Sequence, residues 1–177
     1  MAKKKNRNDD LLEDGSDLQN EVKWSEYEHK KKFSFLCNLE PNKKSKKLVA
    51  DNVTDSKKAR TPCVYVMVVA GRIFKIGVAA GTKGLGGFLG RVGSYNAGAV
   101  SNRISGTAST TNYWVLHSLL NIEENVDVYA IFSDVHISEI FGEQFTDYIP
   151  TPKGMEGVII RQFEEKYGKK PIGNTQG

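Results

Sequence analysis

Between Cys63 and Ala79 almost every position is apolar, in two short runs, CVYVMVV and RIFKIGVA, parted by Ala70 and Gly71. Runs rich in valine, isoleucine and aromatics on either side of a glycine predict a tight hairpin, with strands over 63–69 and 72–79. A glycine-rich stretch follows, then a pattern that predicts a helix over about 87–97. Residues 99–112 are rich in Ser, Thr, Asn and Gly and read as loop, and YWVLHSLL suggests a short helix. VDVYAIFSD, residues 126–134, predicts a third strand. TPKGMEGVIIRQFEEKYG predicts a helix opened by Thr151 and Pro152 and closed by Gly168. Upstream, residues 1–22 are polar and read as flexible. EVKWSEYEHKKKFSFLCNL reads as a helix or arm with a small apolar contact of its own, and PNKKSKKLVADNVTDSKKARTP as loop. Compact structure is therefore expected to begin near Pro62, which divides the chain into a basic arm, 1–61, and a folded domain, 62–177. No internal repeat is present.

Composition adds bounds. A chain of 177 residues with 39% hydrophobic and 26% charged residues is long enough to bury a core as one domain. No apolar run approaches the roughly 18 residues of a membrane span, and the lysines of MAKKKNRNDD lead into no apolar stretch, so no secretory signal is read. Cys37 and Cys63 are too few for a disulfide framework or a zinc site and read as reduced thiols in the cytoplasm. The net charge of +4 is unevenly placed. Residues 1–60 hold 15 Lys and Arg against 11 Asp and Glu, whereas residues 61–177 balance. From Arg103 to Lys153 there is no basic residue in between, but there are seven acids. A polyanion would meet one side of such a protein and be repelled by another.

The faces of the hairpin raise one question. Side chains alternate along a strand, so Val64, Val66 and Val68 share a face and match Phe74, Ile76 and Val78. Tyr65, Met67 and Val69 then fall opposite, together with Ile73, Lys75 and Gly77. An odd loop at Gly71 would set Tyr65 across from Lys75, a phenol beside an ammonium. A lysine guarding a strand edge would look the same. Further on, Arg91 and Tyr95 stand four apart on one helix face. Glu156 shares the inward face of the last helix with Ile159, Ile160, Phe163 and Tyr167, near the positive end of its dipole. A carboxylate there calls for a partner, a metal or a cleft.

In this order these elements resemble the GIY-YIG endonuclease superfamily over roughly residues 62–175. CVY matches the first triplet at Tyr65, and KIG (Lys75, Ile76, Gly77) the second, with lysine in place of its tyrosine. Arg91, the glutamate of MEGVII and the asparagine of KPIGN complete the pattern. The lysine triplet, with Arg followed by Tyr four later, looks most like the small type II restriction endonucleases of the superfamily. Departures are the missing first glycine, the Gly-rich insertion before Arg91 and an insertion before the third strand.

The resemblance implies an α+β fold with a small three-stranded antiparallel sheet flanked by helices, and phosphodiester hydrolysis with one divalent metal, Mg²⁺. Tyr65 would act as base. A free phenol, with a pKa of about 10, is a poor one, and Lys75 is expected to lower that value. Arg91 would stabilise the transition-state charge, Tyr95 would hydrogen-bond phosphate or water, and Glu156 would hold the metal. DNA contacts are expected from Lys43, Lys44, Lys83, Asn102, Arg103 and Asn174. GLGGFLG has Leu89 where a GxGxxG loop needs glycine, and GTKG misses the Walker A spacing, so no nucleotide is expected there. His29, His117 and His136 lack metal-ligand spacing. The implied protein is a cytoplasmic homodimer acting on double-stranded DNA, paired genetically with a cognate methyltransferase. A phage or mobile-element nicking nuclease and a non-catalytic DNA-binding module are the alternatives.

Overall fold

The run CVYVMVV forms β3 (Cys63–Val69), and all seven of its residues are buried. A strand without polar alternation needs cover on both faces and both edges. It has β4 (Arg72–Ala79) on one side and β5 (Val126–Phe132) on the other, both antiparallel. The computed structural model describes residues 16–42, 44, 47–81, 86–100 and 126–174. Among these, the remaining elements are β1 (Ser34–Pro41), β2 (Leu48–Asp51), α1 (Gly87–Val100), β6 (Asp134–Ile140), β7 (Glu143–Ile149) and α2 (Pro152–Tyr167). No helix among the described residues is long and apolar enough to cross a membrane.

The fold is α+β, an antiparallel sheet flanked by two helices, as expected. The sheet itself is larger. Its order is β2-β1-β5-β3-β4, so the three expected strands are joined by two from the supposed arm and loop. Leu36, Cys37, Leu39 and Leu48 enter the same core as Tyr65 and Met67. Compact structure thus begins well before Pro62. The lysines around residues 43–47 suggested a solvated loop, but they sit at the turn between two strands whose alternate residues are buried. Cys37 and Cys63 are buried free thiols, and burial pushes both up to about 12.

Two cores cover the two faces of the sheet. One, under α1, gathers Tyr65, Met67, Phe74, Phe88, Val92 and Tyr95. The other, under α2, gathers Val64, Val66, Val68, Ile73 and Ile76 with Tyr27, Phe33 and Phe163. Each large side chain so buried contributes roughly 1.5–3 kcal/mol. α2 is delimited as its sequence predicts. Thr151 accepts a hydrogen bond from the Gly154 N–H at 3.2 Å, Pro152 opens the helix, and Gly168 closes it at φ 71°.

The β3–β4 register departs from simple alternation. Tyr65 pairs with Gly77 and Met67 with Lys75, but Val68 pairs with Ile73. Phe74 is therefore an extra residue, a bulge that swaps the faces beyond it. Ile73 joins the valines of β3 and Phe74 joins Tyr65, the reverse of strict alternation. Lys75 becomes a diagonal neighbour of Tyr65 rather than its opposite. β6 and β7 form a separate two-stranded hairpin that had no counterpart among the predicted elements. The expected loop at 99–112 overlaps α1 at its start; the rest of it, with the helix at 113–120, lies outside the described residues.

Both outer edges of the five-stranded sheet are closed by an asparagine. At β2, Asn96 accepts from the Leu48 N–H and donates to the Leu48 carbonyl, each at 2.8 Å. At β4, Asn174 accepts from the Ile76 N–H at 2.8 Å and donates to the Ile76 carbonyl at 2.6 Å. A side-chain amide here imitates a neighbouring strand and blocks edge-to-edge pairing.

Candidate active site

The site grows from the face of the sheet under α1. Tyr65 is fully buried, and its hydroxyl lies 2.6 Å from that of Tyr95. The Arg91 Nε–H donates to the Tyr65 hydroxyl at 3.4 Å. The helical spacing brings Arg91 and Tyr95 to this point together, and the guanidinium lies 5.2 Å from the Tyr95 ring centroid. The Phe88 ring meets Tyr65 edge-on with centroids 4.9 Å apart.

Gly77 makes room for the phenol. A Cβ at that position would lie 2.4 Å from the Tyr65 hydroxyl and 2.5 Å from the ring carbon that bears it. Only a residue without a side chain fits across the strand pair. Gly77→Ala should therefore destabilise the protein by about 1–3 kcal/mol through overpacking. An unchanged urea midpoint would show that the Tyr65 ring can move aside.

Lys75 does not hydrogen-bond Tyr65. Its ammonium donates to the Gly173 carbonyl at 2.6 Å, and the residue is 7% exposed. Burial, followed by the charge of Arg91, lowers its pKa to about 8, while Glu156 pulls the other way. The expectation that Lys75 draws down the Tyr65 pKa is not met. Burial, and then Tyr95, push the Tyr65 phenol well above its usual value, and Arg91 only partly opposes them. Tyr95 is raised by burial as well. Burial works against the Arg91 charge, but the two phenols outweigh it and the guanidinium is held more firmly protonated.

Glu156 is 8% exposed and pairs with Lys153 at 2.5 Å. Its charge is felt at both Lys75 and Tyr95. Tyr65, Lys75, Arg91, Tyr95 and Glu156 thus form one electrostatic neighbourhood, drawn from β3, β4, α1 and α2. Beside it opens a cleft of about 270 Å³, walled by Gly81, Gly86, Gly87 and Gly90 with Arg91 and Ser94.

The expected DNA contacts fare differently. Asn174 spends its side-chain amide on the Ile76 backbone, so it is a clamp on β4 and not a free contact. Lys44 is exposed in the β1–β2 turn. Lys43, Lys83, Asn102 and Arg103 lie outside the described residues. Gly173 is a site residue that the sequence did not single out. Its carbonyl seats Lys75, and a Cβ there would lie 2.9 Å from the Phe74 carbonyl oxygen.

No protein-family model and no curated protein sequence matches the chain. A solved structure does. The restriction endonuclease HPY188I, in complex with product DNA, is 41% identical, with 100% of this chain and 98% of that one covered and a TM-score of 0.62. The chain belongs to the family of this restriction endonuclease. A mutant of bacteriophage T4 EndoII, 14% identical over 75% of this chain and 88% of that one with a TM-score of 0.52, shares the fold. Against that background, the cluster around Tyr65 is the site to which chemistry should be assigned.

Proposed function

We propose that this protein is a type II restriction endonuclease of the GIY-YIG kind, a Mg²⁺-dependent cytoplasmic homodimer that hydrolyses both strands of a short DNA site. The observation that carries the reading is the end-to-end likeness to HPY188I, a restriction enzyme held with its product DNA. The site is chemically suited to the task. Tyr65 takes the proton of the attacking water. Its phenolate would receive two donated hydrogen bonds, from Tyr95 and Arg91, which offset the burial that opposes ionisation. Charged Lys75 adds a second cation on the same face of the sheet and polarises the water. Arg91 also faces the charge that grows on the phosphoryl oxygens.

Among the described residues no three of His, Cys, Asp or Glu gather as a metal site. A hard cation that keeps most of its waters and uses one carboxylate and a phosphate needs no more than Glu156. Glu156 would hold Mg²⁺, which supplies positive charge beside the leaving oxygen. The glycine-walled cleft next to Arg91 lets a phosphate backbone approach without side-chain obstruction. Two cuts on opposite strands require two such sites related by a two-fold axis, hence a homodimer. A cognate methyltransferase would protect the host DNA.

Digestion of a plasmid with purified protein, with Mg²⁺ or with a chelator, tests the reading. Discrete double-strand fragments that need Mg²⁺ are expected. Nicked circles or a smear would indicate a looser nuclease, and a mobility shift without cutting a binding module.

A further inference from the structure

The β6–β7 hairpin stands apart from both cores. All of its residues are exposed except Tyr148, which is half-buried. Val135, Ile137, Ile140, Phe145 and Ile149 are among them, and Phe141 at the turn is fully exposed with φ 55°. A lone two-stranded hairpin is at best marginally stable in water, and this much exposed apolar surface marks a place where something binds. DNA is a poor candidate. The hairpin carries Asp134, Glu139, Glu143 and Asp147 and no lysine or arginine.

A matching surface exists on the same chain. An open cleft of about 310 Å³ lies between α2 and the segment that precedes β1. Its walls are Tyr27, Phe33, Ile131, Met155 and Val158, and His29 and Lys32 line it as well, with exposed Lys31 adjacent. An apolar floor with a basic rim is the complement of a tip in which Ile140 and Phe141 are flanked by Glu139 and Glu143. The hairpin cannot reach its own cleft. Ile131 and Pro150, which line the cleft, flank the hairpin's root, closed by the hydrogen bond from the Ser133 hydroxyl to the Pro150 carbonyl at 2.6 Å. The tip stands seven strand residues away, roughly 20 Å or more at about 3.4 Å per residue.

We propose that the β6–β7 hairpin is a dimerisation arm whose tip, Phe141, seats in the Tyr27–Phe33–Val158 cleft of a second copy of the chain. Each copy carries one tip and one cleft, so the exchange is reciprocal and closes about a two-fold axis. Two apolar anchors with complementary charged rims then hold the dimer. The proposal names the contact behind the dimer invoked above, and its test reads mass and not cleavage, so either can fail without the other.

Sedimentation velocity on the full chain decides it. The wild type should be a dimer at micromolar concentration. Phe141→Asp, damaged at the tip, and Val158→Asp, damaged at the cleft, should each raise the dimer dissociation constant about 30-fold or more, the size of a hot-spot loss. Both positions are exposed, so circular dichroism should stay native. Mixing the two variants pairs an intact tip with an intact cleft, and a heterodimer should reappear. A monomeric wild type, a Val158→Asp protein that dimerises like the wild type, or a mixture that stays monomeric would each overturn the proposal.

Discussion

Tyr65→Phe is expected to slow single-turnover DNA cleavage by roughly 10²–10⁴-fold, the usual cost of losing a proton acceptor. The ring would stay packed against Phe88, so the fold should survive. Lys75→Met should cost a similar factor and yet stabilise the protein. The fall in the Lys75 pKa from 10.5 to about 8 corresponds to about 3 kcal/mol. The folded value lies below the unfolded one, so the folded chain bears this cost in full below about pH 8 and loses it as pH rises through 10.5. Subtracting about 1 kcal/mol for the lost hydrogen bond to Gly173, the variant should gain about 1–2 kcal/mol at pH 7 and little above pH 10. Urea denaturation at the two pH values measures this. A lysine kept for structure would give the opposite sign.

The pH dependence of cleavage follows from the same groups. Below about pH 8, each step up in pH should raise the rate, because more Tyr65 is ionised. Above it the gain in phenolate is cancelled by the loss of charge on Lys75, whose pKa is about 8, and the profile levels. Lys75→Arg keeps its charge throughout this range, so its profile should go on climbing. Levelling at the same pH in Lys75→Arg would move the titrating group elsewhere.

Glu156→Gln should lower cleavage by about 10²-fold or more at matched Mg²⁺, since an amide is a poor ligand for a hard cation. The helix should be unaffected, because Gln has a helix propensity close to that of Glu. Binding of uncut DNA in a chelator, followed by mobility shift, should stay within a few-fold of the wild type. Cleavage within a few-fold of the wild type would rule Glu156 out as the metal ligand.

The legible parts of this protein were those with short-range signals. β3, β4 and α2 carry their own turns and caps, and the structure places them at 63–69, 72–79 and 152–167. Tyr65, Arg91, Tyr95 and Glu156 could be named because spacing alone puts them on inward faces. What the chain did not disclose is longer in range. β1 and β2 pair with partners distant in sequence, and their lysine-rich turn hid two buried alternations. The bulge at Phe74 depends on the β3 register, so strict alternation misassigned Ile73 and Phe74. Lys75 was read as the partner of Tyr65, but the carbonyl that seats it comes from Gly173, 98 residues away. Asn174 looked like a free polar contact for the same reason, since its partner is the backbone of β4. The β6–β7 hairpin is exposed on both faces, so it lacks the one-sided pattern by which strands are found.

The most direct test of the central claim is to sequence the ends of genomic DNA digested in Mg²⁺ by the wild type and by Tyr65→Phe side by side. The wild type should yield ends that converge on one short, roughly palindromic sequence, and the variant almost none. Ends without a common sequence, or the same ends at the same rate from Tyr65→Phe, would contradict the account.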